Sequence, residues 1–136
     1  MGLADIPVTV ESAAGDLTGN AQALLGEIAD LLQRLLATGE GGAIDLASLP
    51  FSPADRAWLE HRLGRGEVEI RLMAAGLSTF NETAFPGVWW VSHHNEAGAR
   101  VSELIEVARI PELVIAHPDD VKSGLERLND LINGLD

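Results

Sequence analysis

The chain has 136 residues, 46% of them hydrophobic, and carries 21 acidic against 9 basic side chains for a formal net charge of −12. That length suits one compact domain with its own core, and the charge repels phosphate backbones and anionic membrane surfaces, which argues against a nucleic-acid partner. Cysteine is absent, which excludes disulfides, a thiolate nucleophile and cysteine ligation of zinc or an iron–sulfur cluster. No run approaches about 18 apolar residues, and Met1 to Glu11 lacks a basic region followed by an apolar stretch, so the expectation is a cytoplasmic protein without membrane insertion.

Residues 1–17 read as an N-terminal arm, either frayed or carrying an edge strand around Ile6 to Val10, and residues 18–136 as a single α+β domain. From Asn20, the residues Leu24, Leu25, Ile28, Leu31, Leu32 and Leu35 recur at helical spacing, and Gly39 is placed to end that helix in a left-handed cap. Gly41-Gly42 opens a loop. Ser52-Pro53-Ala54-Asp55 then supplies an N-cap, a first-turn proline and an acidic capping-box residue, which predicts a second helix from Pro53 to about Leu63. Trp58, beside Leu59 and Leu63, reads as core.

After Gly66 the period changes from 3.6 to 2. Val68, Ile70 and Leu72 fall on one face and Glu67, Glu69 and Arg71 on the other, the pattern of a half-buried strand expected to pack on the first helix. Extended runs at about Ser78 to Thr83, Val88 to His93 and Arg100 to Arg109 follow, with a turn at Asn95-Glu96-Ala97-Gly98. Pro111 and Pro118 suit first helical turns, and Val121, Leu125, Leu128, Leu131 and Ile132 outline an amphipathic C-terminal helix. The expected architecture is an antiparallel meander of three to four strands packed against two to three amphipathic helices.

The segment Glu82-Thr83-Ala84-Phe85-Pro86-Gly87-Val88-Trp89-Trp90-Val91 holds two of the three tryptophans. Successive strand residues point to opposite faces, so Trp89 and Trp90 cannot share one core. Either a helix covers the second one or it lies exposed as an aromatic anchor for a partner. Gly66-Glu67-Val68-Glu69-Ile70 precedes this segment and Ile105-Glu106-Val107-Ala108-Arg109-Ile110-Pro111 follows it. Together they resemble the shared region of the HupH/HyaF hydrogenase expression/formation proteins: G-E-V-E-I, then E-T-x-F-P-G-V-W-x-V, then I-E-V-x-x-I-P. Members of that family are usually longer, and this chain holds one copy of the motif set. The resemblance implies an accessory role in [NiFe]-hydrogenase maturation, as a chaperone on the hydrogenase small subunit or another maturation protein.

For chemistry, His93, His94 and Glu96 have the composition of a metal cluster, with His61 and His117 as further imidazoles, yet adjacent strand residues diverge and cannot chelate one ion without a bulge. Glu67, Glu69, Glu82 and Glu106 could pair as acid and base, but no nucleophile with a base and an orienting group is recognisable. The reading is therefore a non-catalytic protein-binding module without metal or cofactor, open to self-association, whose partner surface comprises Trp89, Trp90, Glu67, Glu69, Glu82 and Glu106. The competing reading is a small-molecule- or metal-binding maturation enzyme that uses His93, His94 and nearby carboxylates.

Overall fold

The structure, a computed structural model, describes residues 16–135, so the strand expected at Ile6 to Val10 lies outside the described residues. The apolar stripe from Leu24 to Leu35 forms α1 (Asn20–Thr38). Gly39 ends it at φ 82°, a left-handed conformation that costs glycine little, and its N–H donates to the Leu35 carbonyl. α2 (Pro53–Leu63) starts as its sequence dictates: Ser52 Oγ accepts from the Asp55 N–H, the Asp55 carboxylate accepts from the Ser52 N–H, and Pro53 occupies the first turn.

Between the two helices lies a strand, β1 (Gly42–Asp45), where the sequence predicts a loop. Gly41 makes it possible. A Cβ at that position would stand 1.8 Å from the Val107 carbonyl oxygen, so only glycine lets the chain close on its neighbour. With four residues and Ile44 as its one buried side chain, β1 has no alternation to read.

The remaining strands are β2 (Glu69–Ala74), β3 (Gly76–Glu82), β4 (Val88–His94) and β5 (Arg100–Val107). They form one antiparallel sheet in the order β1-β5-β4-β3-β2, five strands against the expected three to four, within the α+β class read from the sequence. The sheet has two unlike faces. On the first, Ile44, Ile105, Val107, Val88 and Trp90 meet Ala21, Leu24 and Ile28 of α1 and Leu59 and Leu63 of α2 in the larger core. On the second, Phe80, Trp89 and Val91 form a smaller core with Ile70, Leu72, Leu104 and Val114.

This arrangement corrects the packing expected of the first meander strand. Ile70 and Leu72 lie opposite Phe80 and Ser78 in the register, on the second face, and not under α1. Val68 precedes the strand and is 42% exposed. Alternation identifies which residues share a face, but both faces of this sheet are apolar at β4, so alternation alone does not say which one a helix covers. Beyond β5, Pro111 opens a short 3-10 turn (Glu112–Val114), and α3 (Pro118–Asn133) follows with Pro118 in its first turn. No residue of α3 is buried.

Candidate partner-binding surfaces

Trp89 and Trp90 part to opposite faces as strand geometry requires, and both are covered. Their exposures are 4% and 8%, so neither is the outward aromatic anchor that the sequence admits. Two different devices do the covering.

Trp90 enters the larger core with a polar tip. Its indole Nε1 donates to Glu103 Oε2 at 2.8 Å, and Arg56 of α2 donates to both oxygens of the same carboxylate, Nε to Oε1 at 3.0 Å and Nη2 to Oε2. The Arg56 guanidinium also lies over the Trp90 ring, 5.5 Å from its centroid. Arg100 Nη1 approaches Glu103 at 3.4 Å. Burial acts to raise the Glu103 pKa, but the hydrogen bonds from Arg56 and Trp90 and the charges of Arg56 and Arg100 outweigh it and hold the carboxyl below its ordinary value. The group thus remains an ionised, well-partnered carboxylate, which suits a structural tie between α2 and the sheet better than a proton-transfer site. A groove of about 480 Å³ opens beside it, lined by Leu46, Phe51, Pro53, Arg56, Arg100 and Glu103.

The sequence reading misses this network, although a signal exists. Glu103, Ile105 and Val107 share one strand phase, and an acid in an otherwise buried apolar row requires a cation or several donors.

Trp89 is covered by backbone. Its Nε1 donates to the Ala108 carbonyl at 3.0 Å, and the chain beyond β5 runs across the second face so that Val114 reaches the Phe80–Trp89–Val91 cluster. Glu106 fastens the same segment, accepting from the Glu112 N–H at 2.9 Å. In the register, Trp89 stands between Glu82 on β3 and Glu106 on β5, so three of the six predicted surface residues form one cross-strand row. The row holds down the connector that leads to α3.

Glu67 and Glu69 are elsewhere. Glu69 opens β2 on the first face, opposite Asn81, with Arg71 two residues on, while Glu67 lies before the strand instead of sharing its face. Both are exposed. β2 is an edge strand, paired to β3 alone. The histidines separate as well, although a register shift at His93/His94 supplies a bulge. His93 Nδ1 lies 2.7 Å from Ser78 Oγ, whereas His94 Nδ1 lies 3.3 Å from the Leu77 carbonyl. His117 caps α3 by accepting from the Asp119 N–H, and His61 sits in the last turn of α2. Among the described residues, no three of His, Asp or Glu are placed to hold a metal ion. No described helix is long and apolar enough to cross a membrane.

Residues 18–135 match the family described as HupH hydrogenase expression protein, C-terminal conserved region. The chain belongs to this family. It is similar to a solved structure, the hydrogenase expression protein HupH from Thiobacillus denitrificans, at 48% identity and a TM-score of 0.83, over 88% of this chain and 100% of that one. Among curated proteins it is 33% identical to the hydrogenase expression/formation protein HoxQ of Azotobacter vinelandii, over 98% of this chain and 52% of that protein. It is also 33% identical to the hydrogenase-1 operon protein HyaF of Escherichia coli, over 68% of this chain and 33% of that protein. The chain therefore spans about half the length, or less, of the curated relatives it matches. Within this HupH region, the E-T-x-F-P-G-V-W-x-V motif has a physical reading. Buried Thr83 turns the chain through reciprocal bonds with Phe85, Gly87 takes φ 92°, and Val88, Trp89 and Val91 enter the two cores.

Proposed function

We propose that this chain serves hydrogenase maturation as a protein-binding accessory module, a chaperone for a hydrogenase small subunit or another maturation protein, and performs no covalent chemistry. The observation that carries the proposal is the match to the HupH conserved region over residues 18–135. The chemistry of the chain agrees with it. The buried carboxylates of Asp55 and Glu103 are spent on a helix cap and on an ion pair, and the histidines contact separate partners.

The partner surface in this reading is the exposed edge of β2 with Glu67 and Glu69. A free edge offers unpaired backbone groups to an incoming strand, and flanking carboxylates favour a basic partner and speed its encounter. Glu82, Glu106 and the two tryptophans support the surface from within by fixing the sheet and the connector. The test is capture of a purified hydrogenase small subunit by the chain, with association rates followed across ionic strength. Glu67→Gln/Glu69→Gln should slow association most at low salt and leave the fold unchanged. Unaltered rates at low salt would remove these residues from the interface. About one bound metal ion per chain, lost on His93→Ala, would instead favour the metal-binding enzyme.

A further inference from the structure

Among the described residues, exposed apolar side chains gather on one face of α3. Val121, Leu125, Leu128, Leu131 and Ile132 are each between 53% and 60% exposed, and no residue of the helix is buried. Val121, Leu125, Leu128 and Ile132 are spaced four, three and four, the a and d positions of a coiled coil, and Leu131 widens the stripe on one side. A 16-residue helix with so little packing against its own body is marginal in water. The seam calls for another helix.

We infer that α3 pairs, antiparallel, with α3 of a second copy of this chain. Charge is the first argument. A chain of net charge −12 should repel itself, yet within α3 the positions that flank the seam are Lys122, Gly124, Asn129 and Leu131, without a single acid. The acids Asp119, Asp120, Glu126 and Asp130 lie off the seam, so two copies meet there without like charges facing each other. Direction follows from the same balance. A parallel pair would bring two acidic bodies together at the helix N-termini. An antiparallel pair holds them at opposite ends of a helix roughly 24 Å long at about 1.5 Å per residue, beyond a Debye length of about 8 Å, and sets the helix dipoles in opposition.

Extent is the second argument. Ile110, Leu113 and Ile115, in the connector before α3, are more than half exposed and continue the apolar surface toward the body. Together with the seam they make one exposed apolar surface that runs from Ile110 to Ile132. The connector is itself fixed to the sheet by Trp89 and Glu106, so each helix is presented from a firm base. This inference does not rest on the function proposed above, since it concerns a different surface.

Sedimentation of the whole chain tests it. The expected result at tens of micromolar is a species of twice the 14.5 kDa chain mass. Leu125→Glu/Leu128→Glu should return it to the single mass, with unchanged tryptophan fluorescence, because Trp58, Trp89 and Trp90 all lie in the body. Direction is read by single cysteines in this cysteine-free chain. Leu128→Cys, near the middle of the seam, should be joined to its copy by a short bis-maleimide, and Val121→Cys, opposite the far end of the partner helix, should not. A wild-type chain that stays monomeric, or a dimer that survives the double substitution, would overturn the pairing. Efficient joining through Val121→Cys would overturn its direction. A monomer whose α3 face is taken up by a hydrogenase subunit would assign that face to the partner and sink the self-association.

Discussion

α1 and α3 are two helices of one design with opposite fates. Each lays leucine and isoleucine along one side at three- and four-residue spacing, and each is polar on the other. α1 buries Ala21, Leu24 and Ile28 against the sheet and α2, while α3 buries nothing. The difference is not in the helices but in what the chain places beneath them. The face of the sheet under α1 carries Val88, Trp90, Ile105 and Val107 and needs α1 beside α2 to close it, whereas the second face is already closed by Val114 and the connector before α3 begins. Amphipathicity shows that a helix needs a partner; the rest of the fold decides whether the partner is in the same chain.

The sharpest way to break this comparison is to truncate matched leucines. Leu59→Ala, at a fully buried site of α2 in the core that α1 completes, should cost about 2–5 kcal/mol. Leu125→Ala should shift stability by no more than about 0.5 kcal/mol when urea titrations are run dilute enough for the chain to be monomeric. Similar losses at both sites would mean that α3 folds back onto the body.

How much of this was legible in the sequence follows from which signals were local. The boundaries of α2 and the start of α3 lie in Ser52-Pro53-Ala54-Asp55 and Pro118, because caps and first-turn prolines act within a few residues of themselves. β1 was not legible, since its existence depends on the approach of Gly41 to Val107, far along the chain. The assignment of Ile70 and Leu72 to the wrong layer has a similar origin. Their alternation is plain, but the layer that covers them is set by a connector after β5 that carries no periodic signal. For the candidate site, the opposition of Trp89 and Trp90 was readable from the strand, and their burial was not, because one cover comes from α2 and the other from backbone at Ala108.

Between the two faces, the ionic tie at Trp90 should yield the next largest effect. Arg56→Met leaves Glu103 buried with only the Trp90 N–H and the longer contact to Arg100 at 3.4 Å, which should cost about 3 kcal/mol near neutral pH. The pH dependence gives the sign. The folded pKa of Glu103 is depressed from an ordinary value of 4.5, so its ionised form contributes stability above that pH and loses it as pH falls through the lower folded value. In Arg56→Met burial is less opposed, and the carboxyl protonates at higher pH. The gap between variant and wild type should therefore narrow as pH drops below 4.5. Asp55, also depressed from its ordinary 3.8 through Thr18 and Ser52, titrates alike in both proteins and cancels. A gap that stays constant down to acid pH would show that Arg56 acts through its packing on Trp90 and not through Glu103.

The smallest expected effect sharpens the contrast between the two tryptophans. Trp89→Phe keeps an aromatic ring beside Phe80 and Val91 but removes the N–H that donates to the Ala108 carbonyl, worth about 1 kcal/mol. Global stability should change little, and the connector should loosen. Arg109 is exposed and lies one residue beyond that bond, so trypsin should cleave after it several-fold faster, and the Glu112 amide, held by Glu106, should exchange faster with solvent. Trp90→Phe provides the contrast. It removes the donor to Glu103 on the helix-covered face and should lower stability by a similar amount without changing cleavage at Arg109. If the two variants are cleaved alike, the connector is held by the sheet as a whole, and Trp89 is merely buried beneath it.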